Sequence, residues 1–261
     1  MKIQIIRLFA VLLFALPTPV LAAQHKLPSG GVIDVPLDSE VITDQAGLDA
    51  TMTEVSGKPD PDVEGIWFSD DGGVYYESHE EGYVSLDDWG DMDADALLES
   101  YIEGTKEQSK LMGHKVEVLG WAIPPTLSKN KAIAYYSLKL KFGEEEPLVN
   151  LVIYKFGRYG YEEITLVAGA DAVSDSEAER VALKVASSFD FGKDASYADY
   201  RDGDKVAAVG AAGLLAAVFG SKLAKTGLFV MLAAFAKKGW FLIFIPLIFG
   251  WRIIKEKLFG P

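Results

Sequence analysis

Residues 131–169 read KAIAYYSLKLKFGEEEPLVNLVIYKFGRYGYEEITLVAG, and this stretch decides the fold class. From 135 to 142 apolar and polar side chains alternate, which predicts a strand with one buried face. From 148 to 156 both alternating sets are largely apolar, which predicts a central strand covered on both faces. The Gly-Arg-Tyr-Gly turn at 157–160 then leads into a third strand at 160–169. Consecutive strands joined by short turns predict an antiparallel sheet.

The flanking sequence adds strands and two helices. A hairpin is predicted at 63–78 around an Asp-Asp-Gly-Gly turn, with further strands at 82–85 and 115–121. Asp91 and Asp93 are candidate N-caps for a helix that runs to about 112. A Ser-x-x-Glu capping box at 174–177 begins a helix that ends near 189. The expected fold class is α+β, an antiparallel sheet of about five to seven strands with two main helices.

We divide the chain into five segments by composition. Residues 1–22 form a predicted signal peptide, 23–62 an irregular lead-in with a short helix around 44–54, and 63–192 the α+β domain. Residues 193–205 form an acidic linker and 206–261 a membrane anchor. The first segment has a basic start, a short apolar run, a proline and a small-residue cleavage site after Ala22. An uncleaved anchor is the alternative, although the apolar run is short for a span of about 20 residues.

The last quarter of the chain is apolar and interrupted by basic residues. We predict a transmembrane helical hairpin with spans near 206–224 and 239–256 and a basic loop that faces the cytoplasm. A single span with a basic cytoplasmic end is the competing interpretation. The residues expected at the membrane interface are Lys222, Lys225, Lys237, Lys238, Trp240 and Trp251.

Charge and cysteine content exclude several classes of function. The net charge is −13, and the two ends of the chain are net positive, so the section between them is strongly acidic. Such a domain repels the phosphate backbone, and nucleic acid is therefore excluded as a partner. The chain has no cysteine, which excludes disulfides, thiolate chemistry and cysteine-bound zinc.

Motifs for catalysis or metal binding are weak. Asp91, Asp93 and Asp95 have the 1-3-5 spacing of a calcium loop, but the required Gly and Glu at the later positions are missing, so we treat them as a weak Ca²⁺ candidate and as helix caps. Three histidines, at 25, 79 and 114, are too scattered for a metal motif and are interpreted as surface or strand-end residues. No P-loop, nucleophile elbow or dinucleotide fingerprint occurs. We therefore expect no cofactor and no catalytic residue.

Three unusual side chains are the candidate binding residues. Trp121 ends a strand before two prolines, where it is either exposed for a ligand or folded over the core. Asn150 interrupts an apolar strand, and Arg158 lies in the next turn. The simplest role of such an Asn is to satisfy a neighbouring backbone group.

Short motifs of Gly, aromatic and charged residues are spread over most of the chain from about residue 60 onward. They are Gly82-Tyr83-Val84, Gly120-Trp121, Pro124, Val149-Asn150, Gly157-Arg158-Tyr159-Gly160, Phe191-Gly192, Tyr197-Ala198-Asp199-Tyr200, Asp204-Lys205-Val206-Ala207 and Lys237-Lys238-Gly239-Trp240. In these motifs the chain resembles a family of predicted membrane-anchored bacterial proteins with a domain of unknown function. Departures from the family pattern are Thr126-Leu127 and Ala132, where aromatic residues are expected. The resemblance implies location and anchoring, and it carries no activity, substrate or catalytic residue.

The order of elements is also similar to extracytoplasmic sandwiches of the photosystem extrinsic-subunit type, a likeness of layout alone.

Together these features favour a non-enzymatic binding or scaffolding module on the bacterial inner membrane, with its main domain in the periplasm. Its expected partners are the lipid bilayer and another envelope or membrane protein. One alternative is a membrane-bound hydrolase that uses paired carboxylates. Another is an accessory subunit of a transporter or channel, with the Gly- and Ala-rich stretch at 206–220 packed on a partner helix.

Overall fold

The computed structural model describes residues 22–37, 39–56, 59–69, 72–112, 115–144, 147–169 and 178–222. In chain order the strands are β1 (Ala22–Lys26), β2 (Val32–Pro36), β3 (Glu40–Ile42), β4 (Val63–Ser69), β5 (Gly72–His79), β6 (Val116–Ser128), β7 (Ile133–Phe142), β8 (Leu148–Phe156), β9 (Tyr161–Gly169) and β10 (Phe189–Asp190). The helices are α1 (Gln45–Ser56), α2 (Ala94–Met112), α3 (Ala178–Ser187) and α4 (Ala211–Lys222).

The main sheet has seven described strands in the order β3-β4-β5-β9-β8-β7-β6, and all neighbours are antiparallel. The predicted α+β class and antiparallel sheet are therefore confirmed. β8 lies inside the sheet, and every side chain along it except Lys155 is buried. Because both alternating sets of side chains in this strand are largely apolar, the strand is buried on both faces, as predicted.

Each face of the sheet has its own cover. We call the face that carries Tyr136, Val152 and Tyr154 the α2 face, because α2 and α4 pack on it. The opposite face carries Leu151 and Ile153 and is covered by α3 and a three-stranded sheet in the order β1-β2-β10; we call it the α3 face. The side-chain alternation along each strand therefore decides which of two cores a residue joins.

The two predicted main helices are present as α2 and α3. Asp93 caps α2 as expected, since its Oδ1 accepts a hydrogen bond from the Ala96 N–H at 3.0 Å. The capping box predicted for α3, at 174–177, lies outside the described residues.

The prediction of an irregular lead-in at 23–62 is wrong for the described part of that segment. β1 and β2 pair over five positions, and β2 also pairs with β10. The short helix predicted around 44–54 is confirmed as α1, and Asp44 Oδ1 accepts a hydrogen bond from the Gly47 N–H at 2.9 Å. These strands were missed because they are short and because β10, the second partner of β2, is more than 150 residues further along the chain.

Two strand predictions need correction. The strand predicted at 115–121 continues to Ser128 as β6, with the double proline inside it. β6 is an edge strand with several register irregularities, a position where the missing proline N–H groups cost no ladder hydrogen bond. The strand predicted at 82–85 is reduced to one bridge between Tyr83 and Val206.

The predicted acidic linker at 193–205 is an ordered segment held on the domain. Arg158 donates from Nε and Nη2 to the two carboxylate oxygens of Asp204, at 2.7 and 2.8 Å. Ser196 and Asp199 form a reciprocal capping box. The segment is therefore part of the folded domain, because a largely buried bidentate ion pair fixes its end.

α4 continues this segment and joins the α2-face core. The Asp88 carboxylate accepts hydrogen bonds from the N–H groups of Ala212 and Gly213, each at 3.2 Å, and so caps the helix from a distant part of the chain. A Cβ at Gly210 would lie 2.5 Å from this carboxylate, so the close approach requires glycine. Leu214, Leu215 and Phe219 are buried.

The predicted membrane hairpin falls largely outside the described residues. None of the described helices combines the length and the apolar character needed to cross a bilayer. Lys222 is the last residue of α4. The second predicted span and the interface residues Lys225, Lys237, Lys238, Trp240 and Trp251 lie outside the described part, as does the predicted signal peptide except Ala22.

Candidate functional site

The main polar cluster of the α2 face lies where β5 and β9 pair. In that pairing Glu77 is opposite Glu163 and His79 is opposite Tyr161, so these side chains share one face. The carboxylate oxygens of Glu77 and Glu163 and an imidazole nitrogen of His79 all lie within 4.8 Å of one another. Glu163 is only 1% exposed, Glu77 is at the limit of burial and His79 is half-buried. The cluster is therefore inside the protein, with the imidazole toward its edge.

Buried tyrosines surround this cluster. Tyr161 stacks on the His79 ring with centroids 4.6 Å apart. Burial raises the pKa values of Tyr75, Tyr136 and Tyr154, and the Glu77 carboxylate adds to the rise in each. These phenols stay neutral at physiological pH and supply polar hydroxyls around the charged groups.

One imidazole nitrogen and two carboxylates are metal-ligating groups. Within the described part of the chain, they are the one set of His, Cys, Asp or Glu side chains close enough together to hold an ion. Their donor atoms suit a divalent first-row transition metal.

A second pair of carboxyl groups lies on the α3 face. The Glu162 and Glu64 carboxyls are hydrogen-bonded to each other, and Glu64 also accepts from the N–H and Oγ of Ser29, at 2.8 and 2.6 Å. Burial, then the charges of Glu64 and Glu77, raises the pKa of Glu162 well above its usual range. Burial also raises the pKa of Glu64. Two neighbouring buried carboxyls that share one proton avoid the cost of two adjacent charges.

The Glu64–Glu162 pair does not have the geometry of a glycosidase. Glu162 lines a cavity of about 250 Å³ together with Ser29 and Phe191. Glycosidase carboxyls are about 5–9.5 Å apart, which leaves room for the sugar or a water. A pair joined by a direct hydrogen bond is closer than either arrangement, so the structure gives no support to the paired-carboxylate hydrolase here.

The predicted binding residues do not come together at either cluster. Trp121 is folded over the core: its Nε1 donates to the Ala94 carbonyl at 3.2 Å, and its ring contacts Tyr136 edge-on. Asn150 is buried on the α2 face between Leu138 and Val167. Arg158 is engaged by Asp204. Trp121 and Arg158 therefore have structural contacts that account for their polar groups, whereas the Oδ1 of Asn150 is buried and makes no hydrogen bond within the described part of the chain.

The weak calcium candidate gains no support. Asp91, Asp93 and Asp95 are exposed, and Asp93 is used as the cap of α2. Among the described residues they do not belong to a group of ligands within mutual reach.

Sequence reasoning missed the Glu77, His79 and Glu163 cluster. His79 was expected at a strand end, and it is the last residue of β5. The sequence signal for this cluster was the presence of acidic residues inside predicted strands. Glu77 and His79 share one face by alternation, and residues 162–163 are two Glu in a mainly apolar strand. Which partners these residues meet depends on strand order, which the sequence pattern leaves open.

Comparison with known proteins assigns the chain to a family. A family model described as "Protein of unknown function (DUF2167)" matches residues 22–248. The chain belongs to this family. The description assigns no activity.

Other comparisons add little. No curated protein matches the sequence. The solution structure of cyanobacterial PsbP (CyanoP) from Synechocystis sp. PCC 6803 is similar at a TM-score of 0.38 and 14% sequence identity, over 66% of this chain and 92% of that chain. At this level of similarity no functional conclusion follows.

Proposed function

We propose that this DUF2167 protein is a non-enzymatic binding module of the bacterial cell envelope, tethered to the inner membrane with its acidic domain in the periplasm. Its partners are the bilayer, through residues beyond 222, and a second envelope or membrane protein. The basic and apolar composition of the tail and the acidic domain support this orientation.

The observation that carries the proposal is the position of α4. This helix leads directly into the apolar tail, yet Phe219 packs in the domain core, with its ring centroid 5.4 Å from that of Tyr101 and 5.0 Å from that of Tyr136. The same Tyr136 lies within electrostatic reach of Glu77. The polar cluster and the start of the tail therefore belong to one packed unit.

A tether suits a module that engages membrane partners. Holding a domain at the bilayer raises its effective concentration toward other membrane proteins, so weak contacts suffice. Because α4 is packed on the domain, side-chain packing sets the orientation of the polar cluster relative to this helix.

The alternative of an accessory subunit needs a different contact surface from the one expected. Ala211, Leu214, Leu215 and Phe219 are used by the domain itself, so this side of the 206–220 stretch is already covered. The exposed Val206 and Val209, together with the residues after 222, are left for such a contact.

Location is tested by fractionation and protease access. The full chain is expected in the membrane fraction after high-salt and carbonate washes, with its domain digested by protease added to spheroplasts. A chain ending at Lys222 is the matched control, and osmotic shock should release it. Recovery of the full chain from the cytosol, or a domain protected in intact spheroplasts, would refute the proposal.

The partner is tested by in-cell crosslinking, mild detergent extraction and mass spectrometry. We expect one envelope protein in stoichiometric amount, lost when residues 223–261 are replaced by an unrelated membrane hairpin. A chain that is correctly located but always recovered alone would contradict the partner part of the proposal.

A further inference from the structure

We propose that Glu77, His79 and Glu163 form a binding site for one divalent first-row transition metal ion. This inference rests on the proposed binding function, and it names a metal ion as the ligand of the polar cluster on the α2 face. It can fail without affecting the membrane location.

The strand pairing brings the ligands together. Glu77 and Glu163 are directly opposed on β5 and β9, and His79 follows two residues later on the same face. Ligand atoms about 2.0–2.2 Å from a metal are roughly 3.4 Å apart in a tetrahedral site. Since the three atoms already lie within 4.8 Å of one another, side-chain rotation alone can close the site.

The donor set selects the class of ion. Imidazole together with carboxylate oxygens suits Zn²⁺, Mn²⁺ or Fe²⁺, whereas Ca²⁺ prefers oxygen ligands only. Two carboxylates and a neutral imidazole also balance a charge of +2.

The surroundings provide support for bound ligands. Tyr161 stacks on His79 and fixes the plane of the imidazole. Tyr154 is opposite Glu163 in the sheet, and its hydroxyl lies within electrostatic reach of Glu77. In the described part of the structure this hydroxyl is fully buried and makes no hydrogen bond of normal geometry. Such a group is well placed to hydrogen-bond a metal-bound carboxylate or water.

The test uses the full chain in mild detergent, stripped with chelator and titrated calorimetrically with Zn²⁺ and Mn²⁺. We expect one ion per chain, with affinity lowered about a hundredfold or more by Glu163→Gln. The matched control is Glu162→Gln, because this neighbour is equally buried but faces the opposite side of β9. The control should bind within about threefold of the wild type.

Co²⁺ absorption gives a second measurement that needs no variant of a buried residue. Co²⁺ should produce a visible band in the wild type that Zn²⁺ displaces, and His79→Gln should abolish it. Circular dichroism checks that each variant is folded. If Glu163→Gln unfolds, the Co²⁺ band of His79→Gln tests the site instead, because His79 is only half-buried. Equal losses in Glu162→Gln and Glu163→Gln, or no stoichiometric ion in the wild type, would overturn the site.

Discussion

Glu162 and Glu163 are consecutive in the sequence, but their side chains lie on opposite faces of the sheet. Alternation along β9 directs Glu162 to Glu64 and Glu163 to Glu77, and both side chains are 1% exposed. Glu162 is held in its neutral form as a hydrogen-bond donor, whereas Glu163 is placed as a metal ligand. A single strand thus contributes one carboxyl to structure and one to the candidate site.

The neutral state of Glu162 makes stability depend on pH. Because its folded pKa lies above the unfolded value of about 4.3, its stabilising contribution is complete below that value and is lost as pH rises through the folded pKa. Glu162→Gln is neutral at every pH and retains an N–H donor toward Glu64. We expect the variant to match the wild type near pH 4 and to be more stable than the wild type at pH 8, where keeping Glu162 protonated in the folded state costs the wild type free energy. Urea unfolding across this range measures the difference, and a difference that does not change with pH would contradict the explanation.

At the scale of elements, the segment at 193–205 depends on one ion pair. The Arg158 guanidinium holds the pKa of Asp204 below its usual range, and the pair joins this segment to the turn between β8 and β9. With Asp204→Asn the charge-assisted bonds are lost. We expect limited proteolysis within 193–210 to become about tenfold faster, since local opening costs less free energy. Asp202→Asn, an exposed neighbour, is the control, and equal cleavage rates in the two variants would disprove the role of the pair.

The sequence predicted the elements whose side chains alternate over a long run. β7, β8 and β9 follow from alternation and one Gly-rich turn, and α2 follows from the Asp93 cap. β1 and β2 are short, and β2 also pairs with β10, a contact that no local pattern encodes. The candidate site was missed for the same reason: Glu77 and Glu163 are 86 positions apart and meet only through the β5–β9 register. Local sequence patterns therefore predicted the individual strands and helices. Predicting the candidate site would have required the order of the strands in the sheet.

At the scale of the molecule, the domain extends further along the chain than composition suggests. The apolar stretch after 205 was assigned to the membrane, yet its first helix closes the α2-face core over Tyr101, Trp121 and Tyr136. The boundary between domain and tail therefore lies after α4 rather than before it, within the part of the chain that the structure describes.

This boundary predicts opposite outcomes for two truncations that differ by one helix. A chain of residues 22–222 retains Leu214, Leu215 and Phe219 in the core and should unfold cooperatively in water at the same urea concentration as the domain of the full chain. A chain of residues 22–210 loses these contacts, worth roughly 2 kcal/mol for each buried side chain, or about 6 kcal/mol in all. That loss is comparable with the whole stability of a typical domain, about 5–15 kcal/mol, and it leaves a cluster of aromatic rings exposed. We therefore expect the shorter chain to aggregate or to show no cooperative transition, measured by urea unfolding and size-exclusion chromatography. If 22–210 were as stable as 22–222, α4 would be an accessory to the membrane tail and not a part of the domain core.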